Sequence, residues 1–169
     1  KFAGKLSLAK CKEVAEILQS ENQDQCILTD PESISWLLNI RGNDVPRTPV
    51  VHACAAVDVK GNVDLFIELN KLNSNTLKSE SHIKIYPFSN FKNYLRTLKG
   101  KTRLDSQKTP ISVKDCLSNY VFSDDPCLLP KAIKNITEIK GTRKAHLRDG
   151  IAVSSFMAWL DAQKPGNFS

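Results

Sequence analysis

In residues 5–20, Leu6, Leu8, Val14, Ala15, Ile17 and Leu18 are interspersed with lysines and glutamates. No proline interrupts them, so this stretch predicts a first helix. Gln25 to Thr29 is a short apolar run ending at Asp30-Pro31. That pattern predicts a buried strand entering a second helix, with Asp30 as N-cap and Pro31 in the first helical position. Ile34, Trp36, Leu37 and Leu38 would form its apolar side. Arg41 to Pro49 carries Gly42, Pro46 and Pro49 and is a loop by composition. Val50 to Val59 is almost continuously apolar, Lys60-Gly61-Asn62 forms a tight turn, and Val63 to Leu69 returns as a second strand of a hairpin.

Further along, His82 to Tyr86 reads as a short strand, residues 88–98 as a helix, and Lys101 to Leu104 as a strand. A short helix over 112–118 and a strand over Asn119 to Phe122 follow. Strands and helices interleave, which predicts an α/β mixed sheet covered by helices, not a bundle or a sandwich. Ser123 to Pro130 holds Asp124-Asp125-Pro126 and reads as a boundary, giving domains at 1–125 and 126–169. Beyond it, Asn135-Ile136-Thr137-Glu138 fits a capping box. Only the tolerable Gly141 and Gly150 lie between Ile136 and Ala162, so a long C-terminal helix of about 40 Å is expected. Phe156, Met157, Trp159 and Leu160 crowd its far end.

A chain of 169 residues buries a real core without disulfides or metal. The net charge of +6 changes little, because the bases are scattered. The densest stretch, Lys92 to Lys108, follows Phe88 and Phe91 and includes Tyr94, and reads as a helix that buries its aromatics and solvates its lysines. No nucleic-acid surface is expected. Five cysteines, an odd number without a CxxC, suit reduced thiols in a cytoplasmic protein. No apolar run is long enough to span a bilayer, so no membrane partner is expected.

Candidate chemistry is sparse. His52, His82 and His146 have no paired-histidine spacing, and His52 is expected to be packed or hydrogen-bonded in a strand. There is no GxGxxG, GxxxxGK[ST] or GxSxG. Asp124 and Asp125 are adjacent and would point to opposite sides of an extended segment. No catalytic, cofactor-binding or metal-ligating set is present, which leaves the Arg41 to Pro49 loop and the terminal helix as the unusual features.

Two blocks carry a resemblance. Trp36-Leu37-Leu38-Asn39-Ile40-Arg41-Gly42-Asn43-Asp44, with Pro46 and Pro49, resembles the middle domain of three-domain aminopeptidase P enzymes. Pro130-Lys131-Ala132-Ile133-Lys134-Asn135, then Glu138, Arg143 to His146, Arg148 to Gly150, Phe156 and Trp159-Leu160, resembles the start of their catalytic domain. The resemblance runs in order from Phe2 to Asp161 and matches only in pattern between Asn70 and Val121.

It implies a creatinase N-terminal-like fold with a ribonuclease H-like motif, followed by the first helix of a pita-bread catalytic domain. The parent would be an Xaa-Pro aminopeptidase acting on peptides with proline second. Its two divalent metals, manganese by resemblance, would be held by two aspartates, a histidine and two glutamates, none of which maps onto this sequence. The chain is therefore expected to be a non-catalytic fragment that shapes substrate access and assembly. Arg41 and Asp44 are the substrate-proximal candidates, and the other reading of the pair is an internal ion pair that stiffens the loop. Association of two copies through the terminal helix, as a homodimer at high concentration, is a further expectation. The alternative in a different class is an interaction module from a peptidase-like protein without catalysis.

Overall fold

The computed structural model describes residues 2–72 and 80–163. The chain divides into two compact units, Lys5–Ile133 and a second made of residues 1–4 with 134–169.

The larger unit is built on a six-stranded mixed sheet. Its strands are β1 (Gln25–Leu28), β2 (Ala53–Asp58), β3 (Val63–Ile67), β4 (Ile83–Pro87), β5 (Thr102–Leu104) and β6 (Tyr120–Phe122), in spatial order β4-β3-β2-β1-β5-β6. Only β2 runs against the others: it pairs antiparallel with both β1 and β3, while the remaining pairs are parallel. Side-chain alternation then splits the core in two. Cys26, Leu28, Ala55, Val57, Leu65 and Ile67 face helices α1 (Ser7–Ser20) and α2 (Pro31–Leu38), which contribute Val14, Leu18, Ile34, Leu37 and Leu38. Ile27, Cys54, Ala56, Phe66 and Leu104 face α3 (Phe91–Thr97) and α4 (Ile111–Lys114), which bring Phe91, Leu95 and Val113.

Local chemistry forms the elements much as the pattern predicts. The Asp30 side chain accepts from the Glu32 N–H, and Pro31 opens α2. The β2–β3 turn is closed by the Asp58 carboxylate, which accepts from the Lys60 and Asn62 backbone N–H groups. Gly61 sits there at φ +81, with its Cα facing the Cys11 backbone so closely that a Cβ would lie 3.2 Å from it.

Several expectations are adjusted. β2 begins at Ala53 rather than Val50, because the preceding N–H groups are claimed by the loop before it. The helix expected over 88–98 starts with a 3-10 turn, Phe88–Asn90. The stretch expected as linker forms a short helix, α5 (Leu128–Ala132). The larger unit reaches Ile133 rather than stopping at 125: Cys127 is fully buried in its core, and Lys131 lies 3.6 Å from the Asp30 carboxylate at the start of α2. Arg103, read among the scattered bases, is buried. Its Nη1 donates to Glu21 at 2.7 Å and to Gln23, and its Nε donates to the Asp124 carbonyl. Phe91 and Tyr94 lie against Phe66, with ring centres 5.1 and 4.8 Å apart, so they serve the core rather than a stacking surface.

In the second unit, α6 (Ile136–Asp161) starts with the predicted capping box. The Asn135 Oδ1 accepts from the Thr137 and Glu138 N–H groups, and the Asn135 N–H donates to the Glu138 carboxylate. The Asn135 amide also donates to the Ala3 carbonyl. No residue of α6 is buried. Among the described residues no helix is long and apolar enough to cross a membrane.

All five cysteines are free, and all but Cys116 are buried. Burial pushes the Cys11 thiol up to about 11 and the Cys54 thiol up to about 12, and it raises Cys26 and Cys127 as well. Thiolates are the reactive form. In the native protein at mild alkaline pH, a disulfide reagent should therefore label Cys116 rapidly and the other four only on unfolding. Denatured, unreduced protein should yield five thiols. A total of three or one would show bridges.

Candidate functional site

The loop between α2 and β2 lies at the end of the sheet where β1, β3, β4 and β5 finish. Ligand crevices of open α/β sheets form at such carboxyl ends. The loop is fixed at its start by three features. Asn39 ends α2 in the left-handed conformation, φ 55 and ψ 30, and its side-chain amide donates to the Lys5 carbonyl. Lys10, on the buried side of α1, donates to the Trp36 carbonyl at 2.7 Å and to the Asn39 Oδ1 at 2.8 Å, and lies 4.3 Å from the centre of a Trp36 ring. Arg41 then donates through Nη1 to the Ser35 carbonyl at 3.2 Å and the Ile40 carbonyl at 2.8 Å. Cations gathered around the last carbonyls of a helix complement its negative end.

At its far side the loop is tied to β2. The Asp44 carboxylate accepts from the His52 backbone N–H at 2.7 Å and from the Lys71 ammonium at 2.8 Å. The Ser35 hydroxyl accepts from the Val51 N–H. These bonds occupy the N–H groups that Val51 and His52 would otherwise offer a sheet partner, which is why β2 starts at Ala53. Gly42 packs so closely on Val51 that a Cβ would meet its Cγ1 at 2.3 Å. Between loop and strand lies a cleft of about 300 Å³, lined by Arg41, Asn43, Asp44, Val51, Lys71 and Leu72 among others.

Arg41 and Asp44 thus line one cleft but are not paired with each other. Each is held by a different partner, so the loop is stiffened by contacts to α2 and to Lys71 rather than by an internal ion pair. Arg41 remains exposed and uses one guanidinium nitrogen for its two helix contacts. His52 is not packed: its side chain is exposed just ahead of β2, and its N–H holds Asp44. His82 is buried, with the Ser7 hydroxyl 3.3 Å from its Nε2 and Glu80 at its Nδ1. His146 lies on α6. Among the described residues no group of three or more His, Cys, Asp or Glu side chains is placed to hold a metal ion. Lys10 was missed by the sequence reading. Its signal was a lysine at the 7, 10, 14, 18 positions that form the buried side of α1.

Lys71 and the His52 N–H hold the Asp44 carboxyl below its ordinary value of 3.8. A depressed folded-state pKa stabilises the fold above the unfolded value, and that gain is lost as pH falls through the folded one. Wild type should therefore exceed Asp44→Asn in urea-unfolding stability by about 1 kcal/mol at neutral pH, the scale of a partly exposed pair. The difference should shrink below pH 3.8 and vanish at still lower pH. A difference independent of pH would disprove this origin.

This geometry has counterparts among known proteins. Residues 1–138 match the family model of the Creatinase/Prolidase N-terminal domain. The chain is 37% identical over 169 residues to Xaa-Pro aminopeptidase 1 of Dictyostelium discoideum, covering 96% of this chain and 27% of that protein. It is 30% identical to a probable Xaa-Pro aminopeptidase P of Laccaria bicolor, with the same coverage. Among solved structures, the X-prolyl aminopeptidase of Caenorhabditis elegans, described as a cytosolic enzyme with a di-nuclear active site, superposes with a TM-score of 0.89 at 24% identity, over 95% of this chain and 28% of that one. The chain thus spans about a quarter of the length of the relatives it matches.

Proposed function

The chain belongs to the Creatinase/Prolidase N-terminal domain family, and on that premise we propose that it is a non-catalytic part of an Xaa-Pro aminopeptidase-like metallopeptidase. In this reading the Lys5–Ile133 unit is the middle, creatinase N-terminal-like domain, and α6 is the first helix of the catalytic domain. The observation that carries the proposal is continuity: the Dictyostelium relative matches 96% of the chain, domain and helix alike. The parent removes the N-terminal residue of peptides whose second residue is proline. It works in the cytoplasm, as the Caenorhabditis elegans enzyme is described to do.

The described residues do not fit the two metals, manganese by family resemblance, that such a parent uses. Those ions would be held by residues other than the described ones. This unit contributes a surface. Arg41 presents a fixed positive charge at a cleft beside a loop anchored at both ends. An exposed guanidinium held on helix carbonyls is prepared to meet a peptide carbonyl or carboxylate with little loss of side-chain entropy.

Three outcomes test the proposal. The chain by itself, given manganese and an Xaa-Pro peptide, should show no turnover above buffer, whereas the full-length parent should. In that parent, Arg41→Ala should lower kcat/KM by about tenfold, equivalent to about 1.4 kcal/mol, with little change in melting temperature. A loss of stability without a loss of kcat/KM would make Arg41 a structural residue only.

The third outcome concerns α6. Val153, Phe156, Met157 and Leu160 recur at i, i+3, i+4 and i+7, and all four are at least 42% exposed. Trp159 extends this surface, its ring 5.9 Å from that of Phe156. Such an apolar side suits packing on the rest of a catalytic domain. In the isolated chain it should drive two-fold self-association at high concentration. Phe156→Ser with Trp159→Ser should shift sedimentation towards monomer at unchanged stability of the larger unit, and a double variant that stays dimeric would contradict this role.

A further inference from the structure

Residue parity along one strand opens a second cleft on the other face of the sheet. Val51 lines the loop cleft, while His52 and Cys54 turn to the side covered by α3 and α4. These two short helices leave a gap over the start of β2, and the gap is a cleft of about 450 Å³. That lies within the roughly 300–1,000 Å³ of small-molecule pockets.

The cleft is preformed and almost wholly apolar. Cys54, Phe91 and Val113 make its buried floor. Phe91 is locked by its ring contact with Phe66, 5.1 Å between centres. Pro31 and Pro110 give walls with little backbone freedom. Phe88, 41% exposed, leans against Phe91 with ring centres 6.3 Å apart. The polar groups at its edge are Lys92, His52 and hydroxyls, and no acidic residue lines it. Lys92 stands in the first turn of α3, next to Phe91, and lines the same cleft as Phe88. It is exposed, and no carboxylate among the described residues pairs with it.

We infer that this cleft is a binding site for a small amphipathic monocarboxylate, an aryl or short alkyl acid whose apolar body lies on Phe88, Phe91 and Val113 and whose carboxylate meets the Lys92 ammonium. The charge at the edge selects the occupant. An apolar cation would meet Lys92 with like charge, and a neutral hydrocarbon would leave the ammonium unused. The floor holds no polar group that a larger polar ligand needs. Cys54 presents its thiol there in the protonated form, since burial pushes it up to about 12, so the contact it offers is apolar and not covalent. The site is independent of the peptidase reading, lying on the sheet face opposite the Arg41 cleft.

The test is a titration of the whole 169-residue chain, isotopically labelled, with 4-phenylbutyrate and separately with 4-phenylbutylamine. The acid should shift the backbone amide resonances of Cys54, Phe91 and Val113 saturably, and should bind about tenfold more tightly than the amine. Lys92 is exposed and ties down no other element, so Lys92→Glu should fold normally. That variant should reverse the preference, with the acid weakened by about tenfold and the amine strengthened. Saturation confined to other residues, no saturation up to about 10 mM, or an unchanged preference in Lys92→Glu would each overturn the assignment.

Discussion

The Arg41 loop depends on one buried ammonium. Lys10 is only 2% exposed, and taking a charge out of water is costly unless it is fully engaged. Its engagement is with the end of α2: a carbonyl of the last turn, the side chain of the left-handed residue that stops the helix, and the ring between them. The cost of burial therefore becomes a constraint. The packing of α1 on α2 delivers Trp36 and Asn39 to Lys10. In that arrangement Asn39 also reaches back to Lys5, and the chain leaves α2 in one direction.

From that exit point the rest of the site follows by consumption of hydrogen bonds. Asp44 and Ser35 take the N–H groups of His52 and Val51, so pairing with β1 cannot extend that far and β2 starts late. The strand end that results is splayed between two faces. Val51 looks onto the loop cleft, and His52 and Cys54 onto the apolar cleft. Two pockets of different chemistry, one edged by Arg41, Asp44 and Lys71 and the other floored by Cys54 and Phe91, are two consequences of one period-two strand whose first N–H groups are spent elsewhere.

What was legible in the sequence is what is decided locally. Asp30-Pro31, the Lys60-Gly61-Asn62 turn and the Asn135–Glu138 capping box each fix their own geometry within a few residues, and each is found where the pattern places it. The mixed sheet with helices on both faces, and its creatinase N-terminal character, were legible as well. The site residues were legible as a motif but not as a set of contacts. Arg41 and Asp44 are three apart, which suggests an internal pair, yet the partners they take are Ser35, His52 and Lys71, chosen by tertiary placement. Lys10 and Arg103 escaped for the same reason. Nothing near a lysine or arginine in sequence announces that a distant carbonyl or a Glu21 will make its burial tolerable. α5 was hidden because Pro130 lies inside it. A five-residue helix has almost no hydrogen bonds for that proline to break.

The terminal helix poses the converse problem. Helical stability in proteins comes mainly from packing an apolar side, since nucleation is costly and propensity is weak. α6 has a well-built start, in which Asn135 and Glu138 satisfy orphan N–H groups reciprocally. It has no comparable internal support afterwards: none of its 26 residues is buried, and open space surrounds Gly141 and Gly150. A capping box contributes about 1 kcal/mol, which anchors the first turn but does not account for seven. The apolar arc from Val153 to Leu160 lies at the end farthest from the cap, where local support is weakest. A helix arranged this way is stabilised by whatever covers that arc.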